Sequence, residues 1–232
     1  MKILGIESSS LVASAAIVTD DIVTAEYTVN FKKTHSQTLL PMIDEIVRMT
    51  DTDLNTIDGI AVSGGPGSFT GLRIGSATAK GLGLALQKPL IHVPTVDAMA
   101  YGFWGAKGLV CPIMDAKRNQ VYTGIYRTES GFLTLKEACP MDIRRLMEEL
   151  NLFGEKVIFL GDGVPVYSQV IRECALVPVE FAPAHLNRQR AASVAALGAV
   201  YLAEGRTETA AEHKPEYLRK SQAERERLGE EL

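Results

Sequence analysis

Acidic and hydroxyl side chains, which can form hydrogen bonds and ion pairs, stand at the turns of two predicted hairpins. Glu7, Ser8 and Ser9 follow a first short apolar strand, and Asp115 ends a later one. A serine hydroxyl can cap such a turn. Long side chains such as Lys117 follow Asp115, and they are typical of surface charges.

The glycine-rich segment Ser63–Leu86 resembles a phosphate-binding site. Gly65 and Gly67 lie in a turn where a ligand or another backbone can approach closely. The turn leads into a helix, and the N-terminus of a helix attracts anions. The Lys-Ser/Thr pair of a P-loop is missing, because Phe69 and Thr70 stand there.

Metal and protease chemistry have little support in the sequence. No histidine has another within five positions, no cysteine belongs to a C-x-x-C pair, and no G-x-S-x-G elbow is present. The sequence therefore predicts neither a metal site nor a protease. The residues considered are His35, His92, His185, His213, Cys111, Cys139 and Cys174.

Small residues recur at every fourth position of the helix predicted after the glycine turn. Gly71, Gly75, Ala79 and Gly83 share one face of that helix. A glycine inside a helix costs roughly 1 kcal/mol relative to alanine, so this stripe indicates another backbone packed closely against it. That backbone belongs either to the chain's own sheet or to a second protein.

An amphipathic helix is predicted before the glycine segment. Leu39, Ile43 and Val47 lie at helical spacing along it, which is typical of residues that face a core. Because proline is tolerated in the first turn of a helix but not in its interior, Pro41 predicts that this helix begins near Leu40.

Strands and helices alternate along the chain in an order that predicts an α/β fold. Two or three antiparallel strands come first, and a parallel strand–helix–strand unit follows. Later helices are predicted at Met141–Leu150 and Asn187–Glu204. The final segment, Pro215–Leu232, is expected to be extended and then to form a solvated helix.

A second acidic hairpin after residues 101–108 indicates two lobes of related topology. Residues 101–108 contain three glycines, which favour a domain boundary. The lobes are expected at residues 1–106 and 107–232, with the last long helix packing back on the first lobe.

Composition limits the classes of function. With 232 residues, 46% of them hydrophobic and 22% charged, the chain can bury a sizeable core. A net charge of −4 argues against an autonomous nucleic-acid binder, which usually presents a basic face. The first apolar run stops at Glu7, and no run approaches the ~18 residues that span a bilayer, so we expect a cytoplasmic protein without a signal peptide.

Several motifs resemble the TsaB (YeaZ) family over nearly the whole chain. They are GPGSFTGLRIG, PLIHV, PTVDAMA, PIMDAKRNQVYTGIY and PEYLR. The resemblance implies the two-lobed, actin-like ATPase fold (ASKHA, ribonuclease H-like), which is shared with sugar kinases and Hsp70. Each lobe of that fold is a mixed sheet flanked by helices.

The resemblance also implies a function in tRNA modification. TsaB proteins take part in making N6-threonylcarbamoyladenosine beside the anticodon, and they are regarded as non-catalytic partners of the catalytic subunit TsaD. The ATPase TsaE joins this pair. The implied partners are a TsaD-like catalytic subunit and a TsaE-like ATPase, and the isolated chain is expected to form a homodimer. Contact with tRNA is expected to be only indirect. No strongly bound cofactor is expected, and ATP or ADP would be held only within the partner complex.

The resemblance places partner binding on the two predicted helices, which in the family form a four-helix bundle with TsaD or with a second copy. The expected interface residues are His35, Leu39, Leu40, Ile43, Val47, Arg73, Gly75, Ala79 and Gly83. The expected remnants of a nucleotide site are Glu7, Ser8, Ser9, Gly65, Gly67 and Asp115. The turn Gly161–Asp162–Gly163 resembles the adenosine-side loop of the fold and is equally consistent with a plain turn.

The sequence departs from TsaD-like proteins where those proteins bind a metal. They carry two histidines at H-x-x-x-H spacing after the strand that corresponds to PLIHV, whereas this chain reads PTVDAMA there. We therefore expect no catalytic residue and no metal ligand. An ATP-dependent phosphotransferase, argued from Glu7 and Asp115, remains the alternative, and the missing histidine pair disfavours a peptidase.

Overall fold

The computed structural model describes residues 1–219, so the helix expected at the end of Pro215–Leu232 lies outside the described residues. The first sheet consists of β1 (Lys2–Glu7), β2 (Val12–Thr19), β3 (Ile22–Asn30), β4 (Gly59–Gly65) and β5 (Leu90–Pro94). The first three helices are α1 (His35–Met49), α2 (Phe69–Leu86) and α3 (Thr95–Tyr101).

A second sheet follows along the chain. Its strands are β6 (Leu109–Asp115), β7 (Gln120–Arg127), β8 (Leu133–Asp142), β9 (Val157–Leu160) and β10 (Val179–Phe181). The remaining helices are α4 (Ile143–Phe153), α5 (Val164–Cys174) and α6 (Ala191–Ala203).

The two sheets have the same strand order. The first is ordered β3-β2-β1-β4-β5 and the second, written in the same direction, β8-β7-β6-β9-β10. In each sheet the central strand pairs antiparallel with the next strand of the chain and parallel with a strand reached through a crossover. This arrangement confirms the predicted α/β fold with two mixed sheets, and it brings the first hairpin turns of both sheets into equivalent positions.

The last long helix, α6, lies on the first sheet. It packs against β1, β2, β4 and β5, and its side chains Val194 and Leu197 share a buried cluster with Ile3 and Val93. The opposite face of the same sheet is covered by α1 and α2, which contribute Leu39, Ile43 and Ala79 to a second cluster. The first sheet is therefore buried on both faces.

Helix α1 begins at His35, so the prediction of a start near Leu40 is wrong. The His35 ring lies 3.0 Å from the carbonyl oxygen of Val12, which anchors the first turn to β2. Pro41 falls in the second turn. The helix tolerates it there because the carbonyl that loses its partner belongs to Gln37, an exposed residue that water can reach.

The small-residue stripe of α2 faces the chain's own loop and sheet. Gly71, Gly75, Ala79 and Gly83 are all buried. A Cβ atom at Gly71 would overlap the carbonyl oxygen of Ser8, and one at Gly75 would overlap the Ser8 hydroxyl. Of the two alternatives that the spacing left open, close packing within the chain accounts for this stripe.

A different set of small and apolar residues points outward from α2. Arg73, Ala77, Gly81 and Leu84 are exposed and recur at helical spacing, so they lie on one face. Apart from the neighbouring residues and backbone of its own helix, no heavy atom of the described residues lies within 4 Å of the position that a Cβ of Gly81 would occupy. The fold of the single chain therefore gives no reason for a glycine at position 81.

Substituting the inward and outward glycines of α2 should have opposite effects on stability. Gly71→Ala should lower the free energy of unfolding by about 1–3 kcal/mol, because the new methyl group meets a backbone oxygen that cannot move alone. Gly81→Ala, the matched control, should raise it by about 1 kcal/mol through helix propensity. Urea denaturation of both variants measures the difference, and equal effects would show that the orientation of α2 is wrong.

Candidate functional site

A cleft of about 480 Å³ lies where the hairpin turns of the two sheets meet. Ser9 and Gly67 line it from the first sheet, and Asp115, Lys117 and Asp162 line it from the second. The structure thus brings three of the predicted nucleotide-site remnants, Ser9, Gly67 and Asp115, to one place. Whether the cleft can bind a nucleotide depends on whether the polar groups of these residues are free to bind a ligand.

Glu7 is turned into its own hairpin loop. Its side chain is 1% exposed, and one carboxylate oxygen accepts hydrogen bonds from the Ser9 amide at 2.6 Å and from the Ser9 hydroxyl at 2.5 Å. Burial raises the pKa of Glu7 to about 7 although these hydrogen bonds favour the charged form. Glu7 therefore supports the loop and does not line the cleft.

The same loop occupies the space next to the N-terminus of α2. The Ser68 amide donates to the Ser9 carbonyl at 2.6 Å, and a Cβ at Gly67 would overlap that carbonyl oxygen. The Ser8 hydroxyl donates to the Gly71 carbonyl at 2.9 Å, and the Gly71 amide donates to the Ser68 hydroxyl at 3.3 Å. Glycines that would otherwise leave room for phosphate oxygens are used here for contact between two parts of the chain.

Asp115 of the second hairpin is also bonded within the chain. One of its oxygens lies 2.6 Å from the Lys117 ammonium, and the other accepts from the Lys117 amide at 2.9 Å and from the Tyr167 hydroxyl at 3.0 Å. Burial alone would raise the pKa of Asp115, but these hydrogen bonds hold it below its usual value. The exposed Lys117 acts here as the counter-ion of Asp115.

The turn from Gly161 to Gly163 brings another carboxylate to the cleft. The Gly163 amide donates to the Ile113 carbonyl at 3.0 Å, and Gly161 has a φ of +107°, which favours glycine. Burial raises the pKa of Asp162, and its Oδ1 atom has no hydrogen-bond partner in the part of the chain that the structure describes. Two carboxylates, Asp115 and Asp162, therefore line this cleft, and the glycine at its edge, Gly67, is already in contact with the Ser9 carbonyl.

The positions after β5 hold a hydrogen-bonded carboxylate and no pair of metal-ligating side chains. Asp97 of α3 accepts from the Tyr126 hydroxyl at 2.7 Å and from the Tyr201 hydroxyl at 3.3 Å, and burial raises its pKa. Asp97 borders a separate cavity of about 650 Å³ that also contacts Trp104 and Phe132. The sequence interpretation did not foresee this cavity, since its walls come from α3, β8 and α6.

The segment after α6 crosses the glycine turn, which the sequence pattern also did not reveal. The Glu216 amide donates to the Gly64 carbonyl at 2.7 Å, and a Cβ at Gly65 would overlap the Glu216 carbonyl oxygen. The Tyr217 ring stacks on Phe69 with 4.3 Å between centroids. Gly65, expected as a remnant of a nucleotide site, therefore accommodates this tail.

Five of the expected interface residues are covered by the chain itself. Leu39 and Ile43 are 1% and 3% exposed in the core of the first sheet, and the three small residues of the inward stripe are buried as well. Each faces the first sheet or its loops, so none of them offers a side chain to a partner on the surface of the single chain, and their part in partner binding stays a prediction. These residues are Leu39, Ile43, Gly75, Ala79 and Gly83.

The other four expected interface residues differ in their surroundings. His35 is half-buried against β2, and Val47 is half-buried against the core. Arg73 is exposed, but its guanidinium lies over the Phe69 ring and donates to the Tyr217 hydroxyl at 3.3 Å. Leu40 is 53% exposed and has its side chain on the surface of α1.

Comparison with proteins of known sequence identifies the chain's relatives. The family model for TsaD, tRNA N6-adenosine threonylcarbamoyltransferase, matches residues 26–227. The tRNA threonylcarbamoyladenosine biosynthesis protein TsaB of Bacillus subtilis is 33% identical over 229 residues, which cover 97% of this chain and 96% of that protein. TsaB of Escherichia coli is 32% identical over the full length of both chains.

Solved structures agree with the fold. YeaZ from Pseudomonas aeruginosa superposes with a TM-score of 0.80 at 24% identity, covering 94% of this chain and 99% of that chain. An inorganic polyphosphate/ATP-glucomannokinase from Arthrobacter sp. strain KM superposes with a TM-score of 0.51 at 10% identity, covering 88% and 99%. Because both identities are below 25%, the superpositions show the fold alone. They confirm the predicted fold class, the actin-like ATPase fold with two mixed sheets.

The chain is an actin-like α/β protein whose two sheets meet at a cleft lined by their hairpin turns. It belongs to the TsaB (YeaZ) family, and it is therefore a protein of tRNA threonylcarbamoyladenosine biosynthesis. Within residues 1–219, none of the helices combines the length and the apolar character needed to cross a membrane.

The buried Glu7 should make stability depend on pH. Folding raises its pKa from the ordinary 4.5 to about 7, so between these values the folded chain keeps a proton that the unfolded chain has lost. Stability should fall as pH rises through this window, by an amount on the order of 3 kcal/mol. Glu7→Gln keeps the hydrogen-bond acceptor and should remove the loss.

Urea denaturation at pH 5 and pH 8 tests this prediction. The gain of Glu7→Gln over the unsubstituted chain should be larger at pH 8, whereas Glu148→Gln, at an exposed position of α4, should show no such difference. A pH-independent effect of Glu7→Gln would contradict the burial of an ionisable carboxylate in the first hairpin.

Proposed function

We propose that this chain is an accessory subunit that binds a TsaD-like catalytic protein through the outer faces of α1 and α2. The observation that carries the proposal is the outward face of α2, where Ala77, Gly81 and Leu84 lie together in the open. The Leu84 side chain is 70% exposed, and Gly81 has no neighbour in the described residues that would require a glycine. Small residues let a second helix approach closely.

Helix α1 extends this surface, because α1 and α2 pack against each other. Leu40 of α1 is 53% exposed. Exposed apolar side chains that lie together with a neighbouring apolar surface are typical of protein–protein contacts. In the proposal the isolated chain uses the same surface to form a homodimer, and the catalytic partner replaces the second copy.

The state of the cleft supports a non-catalytic role. The Ser8–Ser9 loop is bonded to the start of α2, and Asp115 is bonded to Lys117 and Tyr167. In this proposal the TsaD-like partner carries the reaction, a TsaE-like ATPase joins the pair, and ATP or ADP is held only within that assembly. The net charge of −4 supports indirect contact with tRNA. In this proposal the assembly is cytoplasmic.

A charged side chain on the outer face of α2 should disrupt partner binding. Gly81→Arg places a long cation in a contact that needs close approach, so its affinity for a TsaD-like protein of the same organism should fall more than about tenfold. The isolated variant should fold normally, since position 81 has open space and arginine favours helices. Co-purification and titration calorimetry measure the loss.

The matched control is Ala203→Arg, which adds the same side chain at an exposed position of α6. It should bind the TsaD-like protein like the unsubstituted chain. If Gly81→Arg binds normally and Ala203→Arg does not, the proposed surface is on the wrong side of the first sheet.

The alternative, a phosphotransferase of the same fold, predicts ATP turnover by the isolated chain. Under our proposal the purified chain hydrolyses MgATP no faster than its Asp115→Asn variant does. The reason is that the Asp115 carboxylate is already bonded to Lys117 and Tyr167. A phosphate-release assay compares the two. A clear rate that disappears in Asp115→Asn would favour the phosphotransferase.

A further inference from the structure

Two histidines and a glutamate from separate parts of the chain meet at the edge of the first sheet. His92 lies on β5, while Glu208 and His213 belong to the segment after α6. Backbone hydrogen bonds of 2.9 Å in both directions between Leu90 and Glu208 hold that segment against β5. The ligand atoms of the three side chains all lie within 4.8 Å of one another.

The His213 side chain is buried and incompletely bonded. It is 0% exposed, and its Nδ1 atom lies 3.1 Å from a carboxylate oxygen of Glu208. Its Nε2 atom is buried without a hydrogen-bond partner among residues 1–219. Because an unpaired buried polar atom is unfavourable, a ligand bound at this nitrogen would stabilise the fold.

His92 completes the pair of imidazoles. Its ring covers Gly64 so closely that any Cβ at position 64 would overlap the ring atoms. The ring centroids of His92 and His213 are 5.8 Å apart. His92 is half-buried, with its Nε2 atom 3.9 Å from Glu216, so an ion could reach the cluster from solvent.

The charge around the cluster suits a cation. Glu208 adjoins His213 and Glu216 adjoins His92, while the nearby Lys80 ammonium is engaged with the backbone carbonyl of His213 at 2.9 Å.

We propose that His92, Glu208 and His213 form a binding site for a divalent transition-metal ion. Two imidazoles and one carboxylate are a ligand set that Zn²⁺ accepts in tetrahedral geometry, with the fourth position left to water or Glu216. The ion would join the segment of residues 208–216 to β5, and so fasten the tail that crosses the glycine turn. This role is independent of partner binding.

Metal titration of tag-free protein tests the site. The unsubstituted chain should bind one equivalent of Zn²⁺ in competition with a chromophoric chelator, and Co²⁺ should give the visible absorption of a tetrahedral complex. His92→Ala and His213→Ala should each weaken Zn²⁺ binding more than about tenfold, since the loss of a ligand exceeds the usual cost of losing a supporting residue. His185→Ala removes an exposed histidine and should leave binding unchanged.

Thermal unfolding without metal identifies variants that fail to fold. His92 is only half-buried, so His92→Ala should unfold like the unsubstituted chain and give a valid comparison even if His213→Ala does not fold. Excess Zn²⁺ should raise the unfolding temperature of the unsubstituted chain and of His185→Ala, but not that of folded His92→Ala. No stoichiometric binding, or equal Zn²⁺ affinity in folded His92→Ala, would overturn the proposal.

Discussion

The close approach of the Ser8–Ser9 loop to the start of α2 is the interaction on which the account depends. It requires glycine at positions 67 and 71, because a side chain at either position would overlap a carbonyl oxygen of the loop. It buries Glu7 beneath the hairpin and gives the amides near Ser68 and Gly71 partners within the chain. Glycines next to a helix N-terminus can leave room for a phosphate. Here Gly67 and Gly71 leave room for the backbone of the Ser8–Ser9 loop.

This interaction also fixes which way α2 faces. Once the stripe from Gly71 to Gly83 lies against the loop and the first sheet, the residues around Gly81 must point outward. The structure thereby separates a cleft whose turns are bonded within the chain from an open helix face. In the function that we propose, the internal bonds of the cleft explain an accessory role, and the open helix face provides the partner surface.

The sequence predicted the fold well because its strands are strongly patterned. The paired hairpins that suggested two related sheets are present, and the long helix predicted at Asn187–Glu204 is observed at Ala191–Ala203. Strand β8 was missed, and the helix predicted from Met141 begins at Ile143 instead. Most residues of Leu133–Asp142 are exposed or half-buried, so the segment lacks the apolar alternation by which a strand is recognised.

The site was harder to predict because periodicity shows that residues share a face but not what the face meets. Helix α2 carries two stripes of small residues, and the sequence does not distinguish the stripe through Gly75 from the stripe through Gly81. The cluster of His92 with His213 was invisible for another reason. Its members are far apart in the chain, and only the antiparallel bridge between Leu90 and Glu208 brings them together.

A crystal structure of the chain bound to a TsaD-like protein in the presence of MgATP would show both the partner surface and the cleft. We expect the partner to cover Ala77, Gly81 and Leu84, while the Ser8–Ser9 loop stays against Gly67 and Gly71. A nucleotide phosphate between Ser9 and Gly67, or a partner that binds away from the outer face of α2, would rule out the proposed function.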